Sequence, residues 1–360
     1  MARPTQARLS AVALRHNLER VRSLAPRAKV MAVVKANGYG HGLSWVAQAL
    51  ARADGFGVAS VEEGMVLRRA GVSAPVCLLE GFFQRDELPL IAAHALSAVV
   101  HHERQIQDLE SFSSSAPVDV WLKIDTGMHR IGFDPRQAAE AAGRLQACKA
   151  VRSVGLMSHL ANADNRFDAT TTFQISLFQD LAGRLGGERS LANSAGVVAW
   201  PESRMEWVRP GIMLYGVSPM IGQGSAELGL EPVMTLCSEV MAINRRRKGE
   251  PVGYGGDWVC PEEMPVGVVA VGYGDGYPRH APAGTPVLVN GQRVPLIGRV
   301  SMDMITVDLR GQPDAQVGDP AVLWGAGLPV EEIAAQAGTI GYELLCHVAS
   351  RVPRIGSTER

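Results

Sequence analysis

Hydrophobic and polar positions alternate in a regular rhythm over the first part of the chain. From about residue 28 to residue 225, a short apolar run is followed by a turn and an amphipathic stretch, and the pattern repeats. Alternating strands and helices predict a parallel β-sheet. Roughly eight repeats in about two hundred residues favour a closed (β/α)8 barrel of the TIM type over an open doubly wound sheet, the alternative. The predicted strands occupy residues 30–34, 56–59, 76–79, 96–100, 118–124, 154–157 and 212–215, with a weaker run at 190–192.

Two of the stretches between these strands carry clear helix signals. In one, the apolar side chains at positions 173, 177, 178, 181 and 185 share one helical face. Another is predicted to begin after Ser60, which is placed to cap the helix, with Glu63 three residues later completing a capping box. Both support α/β organisation.

The pattern changes after residue 230, where segments become rich in valine and are punctuated by glycine. Asn290-Gly291 between two apolar runs predicts a β-hairpin, and alternation over residues 302–307 predicts a half-buried strand. Late helices are predicted at 330–337 and 342–348. We therefore divide the chain into a barrel, residues 1–230, and a mostly β C-terminal domain, residues 231–360.

Composition narrows the class of protein. The chain has 360 residues, of which 46% are hydrophobic, and a formal net charge of −1, so nothing predicts a nucleic-acid partner. No apolar run is long enough for a membrane span, and the N-terminus lacks the apolar stretch of a secretory signal. The five cysteines have no metal-ligand spacing, so we expect reduced thiols, no metal and a cytoplasmic location.

Candidate chemistry lies at the C-terminal ends of the predicted strands. Lys35 ends the first strand, and three glycines follow it within seven residues. A buried ammonium is costly unless something uses it, and the glycines allow the backbone to approach a ligand closely. Polar residues follow later strands at 125–130, 158–159 and 193–194, and the group at 209–211 precedes the predicted strand 212–215. One such residue alone is more often structural, but five groups on one rim predict an active site.

Several segments are similar to the signatures of alanine racemases. Val-Val-Lys-Ala-Asn-Gly-Tyr-Gly-His-Gly (33–42) resembles that family's cofactor-lysine segment. The other matching segments, in the family's order, are Lys-Ile-Asp-Thr-Gly-Met-His-Arg (123–130), Arg-Pro-Gly-Ile-Met-Leu-Tyr-Gly (209–216), Gly-Tyr-Gly-Gly (253–256), Val-Gly-Tyr-Gly-Asp-Gly-Tyr-Pro-Arg (271–279) and Gly-Arg-Val-Ser-Met-Asp (298–303). The resemblance covers nearly the whole chain and implies the same division into a barrel and a β domain.

The resemblance implies a racemase that interconverts L-alanine and D-alanine with pyridoxal 5'-phosphate. Lys35 is then the residue that holds the cofactor as an imine and serves as base on one face of the substrate. Tyr254 is the second base and comes from the partner subunit, which implies a homodimer with shared active sites. A tyrosine in water has a pKa of about 10, so a site that uses it as a base must stabilise its phenolate. The resemblance assigns that task to His159 and Arg209.

Further roles follow from the resemblance alone. Arg209 stands against the cofactor's pyridine nitrogen, and because a guanidinium only donates hydrogen bonds, that nitrogen is expected to remain unprotonated. The residues expected to contact the phosphate are Tyr39, Ser194, Gly211, Ile212 and Tyr342. Those expected to contact the substrate or narrow its entrance are Arg130, Met302, Asp303 and Tyr273. Lys123 matches a lysine that is often carbamylated, which would give it a negative charge to pair with Arg130.

Other functions fit the same residues less well. A pyridoxal-dependent decarboxylase of similar fold would need an acidic partner for the pyridine nitrogen, which Arg209 opposes. A single-barrel pyridoxal-phosphate carrier would lack residues 231–360, and a cofactor-free barrel aldolase would leave the β-domain motifs unexplained. A broad-specificity racemase is closer, but such relatives are commonly exported. The sequence leaves open whether D-alanine is supplied for peptidoglycan or broken down.

Overall fold

The barrel is present and closed. The computed structural model describes residues 3–113 and 116–357. Strand β1 (Gln6–Ser10) belongs to a second sheet, and the next eight strands pair in parallel order, with β2 meeting β9 to close the ring. The prediction of a (β/α)8 barrel is therefore confirmed. The barrel strands are β2 (Lys29–Val33), β3 (Gly55–Val58), β4 (Val76–Leu78), β5 (Leu96–Val100), β6 (Val118–Lys123), β7 (Val151–Met157), β8 (Arg189–Ser190) and β9 (Trp207–Val208).

Helices surround the barrel at the predicted places. The predicted cap is present, since the Ser60 hydroxyl accepts a hydrogen bond from the backbone N–H of Glu63. The long amphipathic helix is Ala169–Leu185, which buries Ile175 and Phe178. The other helices of the barrel part are Ala11–Leu24, Leu43–Ala49, Val61–Arg69, Leu88–Ala93, Glu103–Glu110, Ala138–Ala147 and Ser194–Ala199.

One predicted strand was wrong. Residues 212–215 form a 3₁₀ turn, Ile212–Tyr215, and the eighth strand is instead Trp207–Val208. Pro210 explains the difference, because it has no N–H to donate to a ladder and the pairing stops before it. The chain then turns at Gly211, whose φ of −118° and ψ of −92° lie outside extended backbone. As a result Arg209 follows a strand rather than preceding one.

The C-terminal part is mostly β, as expected. Its long sheet has the order β13-β16-β15-β14-β17-β10-β1-β18, and β10 also pairs with β13. The predicted hairpin is confirmed, with Asn290 and Gly291 both at positive φ between β14 and β15. Its strands are β10 (Met234–Arg246), β11 (Pro251–Val252), β12 (Trp258–Val259), β13 (Met264–Val269), β14 (Pro286–Val289), β15 (Gln292–Ile297), β16 (Ile305–Asp308), β17 (Pro320–Trp324) and β18 (Arg354–Ser357). Helices Val330–Gln336 and Gly341–Cys346 match the two late predictions.

Two details differ from the sequence analysis. The strand predicted at 302–307 begins only at Ile305, because the Ser301 N–H turns back to donate to the Met304 carbonyl. β1, which lies within the 1–230 segment, pairs with β10 and β18 in the second sheet. Ala7 and Leu9 of β1 are buried there, so the start of the chain anchors the β part.

A layer of large side chains fills the interior of the barrel. Six strands contribute to this cluster, and each supplies a buried residue: Met31, Cys77, Val99, Trp121, Met157 and Trp207. The barrel is therefore a packed core, and any ligand must bind above this layer. Within residues 3–113 and 116–357, no helix is both long and apolar enough to cross a membrane.

Candidate active site

The candidate site is a cavity of about 670 Å³ above the packed layer. Side chains of a strand point to the same face at every second residue. Residues two or four positions after the packed layer therefore point into the space above it. Those that line the cavity in this way are Lys35, Leu79, His101, Lys123, His159 and Arg209. The alternation along the strands thus brings several basic side chains together at one end of the barrel.

Lys35 is followed by an unusual backbone segment. Ala36 to Gly40 form five successive residues with positive φ, between 50° and 79°. A left-handed turn costs about 1–2 kcal/mol for each residue with a Cβ, so its neighbours must hold it. The Asn37 N–H donates to the Glu63 carboxylate, and the Asn37 side chain accepts from the Leu43 N–H. The turn directs Lys35 and Tyr39 into the same cavity, where Lys35 Nζ lies 3.6 Å from Glu80 Oε1.

A cradle for an anion lies beside this turn. Tyr39 stacks on Tyr215 with ring centroids 4.6 Å apart, and burial raises the pKa of Tyr39, so its hydroxyl remains a donor. Gly211 approaches that hydroxyl so closely that a Cβ at this position would lie 2.4 Å from it. The Ser194 hydroxyl accepts from the Gly211 N–H at 2.9 Å. Within the described residues, the Ile212 N–H has no acceptor and remains available.

Buried Arg209 and half-buried His159 lie side by side on the same rim. Arg209 donates to the Ser190 hydroxyl and to the Ser158 carbonyl, each at 2.6 Å, and its Nη2 lies 3.4 Å from His159 Nδ1. Because a guanidinium can only donate, His159 Nδ1 accepts and the ring proton resides on Nε2. Burial, followed by the charges of Lys123 and Arg209, lowers the pKa of His159 well below 6.5. The ring is therefore a neutral donor at neutral pH.

Lys123 is a buried amine among cations. Burial, together with the charges of Arg209 and Arg130, lowers its pKa well below 10.5. In the described part of the chain, no carboxylate lies within 4.0 Å of its Nζ. Beside this amine, Lys35, Arg130 and Arg209 line the cavity, and Glu80 supplies the single carboxylate among the described residues that line it. This excess of positive charge suits an anionic ligand.

Four of the predicted site residues lie outside this cavity. Tyr254 is 67% exposed, Met302 is 53% exposed and Tyr273 is 39% exposed. Asp303 is held by two arginines, Arg3 through its carbonyl and Arg351 through its carboxylate. The remaining predicted residues lie together in the cavity: Lys35, Tyr39, Lys123, Arg130, His159, Ser194, Arg209, Gly211, Ile212 and Tyr342.

Comparison with known proteins decides the family. The models of the N-terminal and C-terminal domains of alanine racemase match residues 9–219 and 233–356. An alanine racemase from Nitrosococcus oceani is 57% identical over 350 residues, which cover 97% of this chain and 98% of that protein. The chain belongs to the alanine racemase family. It is accordingly an isomerase, and the predicted interconversion of L- and D-alanine is the activity of this family.

Solved structures of alanine racemases have the same fold. The crystal structure described as biosynthetic alanine racemase from Pseudomonas aeruginosa has a TM-score of 0.96 and 46% identity, and the match covers 99% of each chain. The alanine racemase of Acinetobacter baumannii has a TM-score of 0.94 and 38% identity over 99% of this chain and 100% of that one. The cavity described above therefore lies in the fold of solved alanine racemases.

Sequence reasoning missed several residues that line the racemase cavity. Glu80 and His101 follow strands β4 and β5, which carry no recognised motif. The signal that finds His101 is its position two residues after Val99 of the packed layer. Cys346 reaches the cavity from the C-terminal part, whereas Asn193, which caps the helix Ser194–Ala199, belongs to the predicted group 193–194.

His41 supports the lysine turn from below. Its Nδ1 lies 3.0 Å from the Gly38 carbonyl and 2.8 Å from the Tyr39 carbonyl, so it donates to both. Its Nε2 is buried without a partner among the described residues. Burial lowers the pKa of His41 to about 4. The fold therefore holds this imidazole neutral.

This burial predicts a pH-dependent stability. The unfolded chain binds a proton at His41 below pH 6.5, whereas the folded chain resists protonation down to about pH 4. The stabilisation is thus complete above pH 6.5 and is lost as pH falls towards 4, by about 3 kcal/mol in all. We expect urea unfolding to show a shallower pH dependence for His41→Gln than for the natural chain over this range. His280→Gln, at an exposed position, should keep the pH dependence of the natural chain. If the free energy of unfolding depends on pH equally in the natural chain and in both variants, His41 does not cause the effect.

Proposed function

We propose that this racemase uses two bases from two subunits, Lys35 of one chain and Tyr254 of the partner, with pyridoxal 5'-phosphate as cofactor. One observation carries the proposal. The cavity holds Lys35 together with the cationic and hydroxyl groups of a cofactor site, yet Tyr254 is exposed on the same chain and does not line it. For Tyr254 to act opposite Lys35, it must therefore come from a second copy of the chain.

The residues of the cavity fit pyridoxal 5'-phosphate. Lys35 offers a primary amine, and the close approach of Gly211 to the Tyr39 hydroxyl leaves a cradle that a Cβ would fill. Ser194 and the Ile212 N–H add donors for a phosphate. Arg209 can donate to the ring nitrogen, since its Nε has no protein acceptor among the described residues. When bound, the cofactor withdraws electrons from the substrate and makes the α-hydrogen acidic.

Lys35 acts as the base on one face of the substrate. The Nζ amine would hold the cofactor and would also be placed to take the α-proton or to return one. The left-handed turn fixes its direction, and Glu80 lies 3.6 Å away as a charge partner. Proton transfer from a positioned group contributes about 10²–10⁴ in rate.

Tyr254 acts on the opposite face, and His159 prepares it. His159 presents an Nε2–H because Arg209 occupies its Nδ1. That N–H can donate to the oxygen of the partner's Tyr254. A hydrogen bond to the charged form stabilises the phenolate, whereas surroundings without a donor would not. Arg209 remains protonated at neutral pH, since burial lowers its pKa only to about 10. The pair therefore favours the form of Tyr254 that removes a proton.

We assign the substrate carboxylate to Arg130 and to the backbone N–H of Met302 from the partner. The positive charge of the cavity supports an anionic group here. The Met302 N–H has no acceptor among the described residues, and its side chain is exposed. Tyr273 and Tyr342 narrow the entrance, which favours a methyl side chain over larger ones. Burial raises the pKa of Tyr342 to about 12, so it remains neutral.

Carbamylation of Lys123 is a prediction that follows from its environment. A neutral amine attacks carbon dioxide, forms a C–N bond and releases one proton, leaving a carbamate anion on Nζ. The lowered pKa of Lys123 provides the neutral amine, and the anion would then face Arg130. We expect a carbamate signal by NMR after exchange with isotopically labelled carbon dioxide. Lys123→Met should lose that signal, whereas Lys149→Met, at an exposed site, should keep it.

Mixed dimers test the proposed function. Lys35→Ala and Tyr254→Phe chains carry different affinity tags, and only dimers that bear both tags are retained. If the tyrosine acts across the interface, one site of each mixed dimer is intact and activity returns to about half of the natural value, while both parent variants remain inactive. If no activity returns although mixed dimers form, the shared site is wrong.

We also propose D-alanine supply, in the cytoplasm, as the physiological role. The solved Pseudomonas aeruginosa relative is described as biosynthetic, and the five cysteines of this chain are unpaired, which is typical of a reducing compartment. If the enzyme supplies D-alanine, cells in which the gene is disrupted should grow only when D-alanine is added. If those cells grow without D-alanine but no longer use alanine as a carbon source, the role is catabolic.

A further inference from the structure

An ion cluster lies behind the exposed loop that carries Met302. Asp275 is completely buried, and its carboxylate accepts from Arg3 Nη2 at 2.7 Å, from Arg351 Nε at 2.8 Å and from the Gly272 N–H at 2.9 Å. Removing a carboxylate from water is costly unless it is paired and hydrogen-bonded on all sides. This carboxylate meets that condition, so the surrounding loops are held in one arrangement.

Both arginines also bind Asp303, the neighbour of Met302. Arg3 Nη2 donates to the Asp303 carbonyl at 2.9 Å, and Arg351 Nη2 donates to the Asp303 carboxylate at 2.6 Å. Two guanidinium groups therefore face two carboxylates, and the cluster is balanced in charge. The arginines come from opposite ends of the chain and cross-link the Asp275 turn to the Met302 loop.

The backbone of the two loops is packed as tightly as the ion pairs suggest. The Tyr273 N–H donates to the Ser301 carbonyl at 3.0 Å, and the Gly274 N–H donates to the Met302 carbonyl at 2.8 Å. A Cβ on Gly272 would lie 2.3 Å from the Ser301 oxygen and 2.4 Å from the Met302 oxygen, which no side chain tolerates. Tyr273 and Met302 are thus held together by the backbone of the two loops.

We propose that Asp275, Arg3 and Arg351 are positioning residues for substrate recognition, because they fix the Met302 loop in the geometry that presents its N–H to the substrate carboxylate. The inference rests on the proposed function, in which this loop completes the partner's site. It also gives Asp303 a role. Its carboxylate would repel the substrate carboxylate, and it is already bound to Arg351, so Asp303 holds the loop rather than the ligand.

The inference predicts a specific kinetic signature. The substrate carboxylate does not change its charge when the α-proton is removed, so a contact with it is equally strong before and during reaction. Loss of such a contact raises KM and leaves kcat nearly unchanged. For Arg351→Gln we expect KM for alanine to rise about tenfold, with kcat changed less than about threefold. The inhibition constant of propionate, which is alanine without its amine, should rise by the same factor.

A matched control is available at Arg310. It also bridges two carboxylates, those of Asp308 and Glu262, but it follows β16 whereas the Met302 loop precedes that strand. Arg310→Gln should leave KM, kcat and propionate inhibition unchanged. Arg351→Lys, which retains the charge but not the forked geometry, should give an intermediate KM. If Arg351→Gln does not fold, Arg3→Gln decides the matter, since Arg3 lies near the chain end and is partly exposed.

Mixed dimers separate this inference from the proposed function. In one dimer, Arg351→Gln is placed on the chain that also carries Lys35→Ala; in the other, the two substitutions are on different chains. We expect the raised KM only in the first dimer. There the chain that retains Lys35 receives its Met302 loop from the Arg351→Gln chain. A raised KM only in the second would overturn the proposed sharing of loops. An unchanged KM in the Arg351→Gln and Arg3→Gln homodimers, or an equal change in Arg310→Gln, would overturn the positioning role while the sharing stands.

Discussion

Lys35→Ala should lower the rate of racemisation by at least about 10⁴-fold, because in the proposed function one side chain both holds the cofactor and moves the proton. The cavity contains a second amine, but Lys123 is bounded by Arg130 and Arg209 and lies on β6 rather than on the left-handed turn. The turn that directs Lys35 into the cavity is absent at Lys123, so we expect Lys123 not to replace it. Borohydride treatment in the presence of pyridoxal 5'-phosphate should label the Lys35 peptide of the natural chain, and no peptide of the variant.

Lys29 provides the control for this substitution. It lies at the opposite end of the same strand, where its Nζ pairs with Glu188 at 2.8 Å and sits over the Trp207 ring. An exposed ion pair of this kind contributes about 1 kcal/mol or less, so Lys29→Ala should retain the label and nearly full activity. Activity in Lys35→Ala comparable to that of Lys29→Ala would contradict the role assigned to Lys35.

Tyr254→Phe should lower racemisation by about 10²–10⁴-fold and separate two events that normally occur together. The substitution removes one hydroxyl from an exposed ring, so the fold, the proposed dimer and cofactor binding should be unaffected. In the proposed function, Lys35 can still exchange the α-hydrogen on its own face. For one enantiomer of alanine, exchange with heavy water should therefore continue without inversion, whereas the other enantiomer should lose both.

The control for Tyr254 is Val259→Ala, since Val259 is exposed on the short strand that follows. This variant should racemise at the natural rate. Equal loss of exchange for both enantiomers in Tyr254→Phe would mean that the tyrosine supports the site as a whole, and an unchanged rate would mean that it takes no part.

The barrel and most of the cavity could be predicted from the sequence because their signals are local. A strand repeats every two residues, so Met31, Val33 and Lys35 are on one face whatever the rest of the chain does. The eighth strand was harder, because Trp207–Val208 is two residues long and the apolar run after it is longer. Only pairing with β2 and the missing N–H of Pro210 decide between them.

Long-range contacts explain what the sequence could not predict. β1 pairs with β10 and β18 in the sheet of the C-terminal part. The pattern of residues 6–10 predicts a strand at most and does not indicate which sheet that strand joins. The pairing of Arg3 with Asp275 spans 272 residues, and both residue types are ordinary on a surface. Glu80 and His101 lacked a motif, so only the closed barrel brings them to the rim.

The most direct test of two bases is the isotope content of the product at early conversion. The natural enzyme, loaded with pyridoxal 5'-phosphate, is given L-alanine in heavy water, and D-alanine is isolated before a tenth of the substrate has reacted. With separate bases on the two faces, the proton removed from L-alanine cannot be the one returned. We therefore predict deuterium at the α-carbon of essentially all D-alanine, in the first turnovers as in later ones. D-alanine that retains the original hydrogen would mean that a single group serves both faces, and the account of Lys35 and Tyr254 would be wrong.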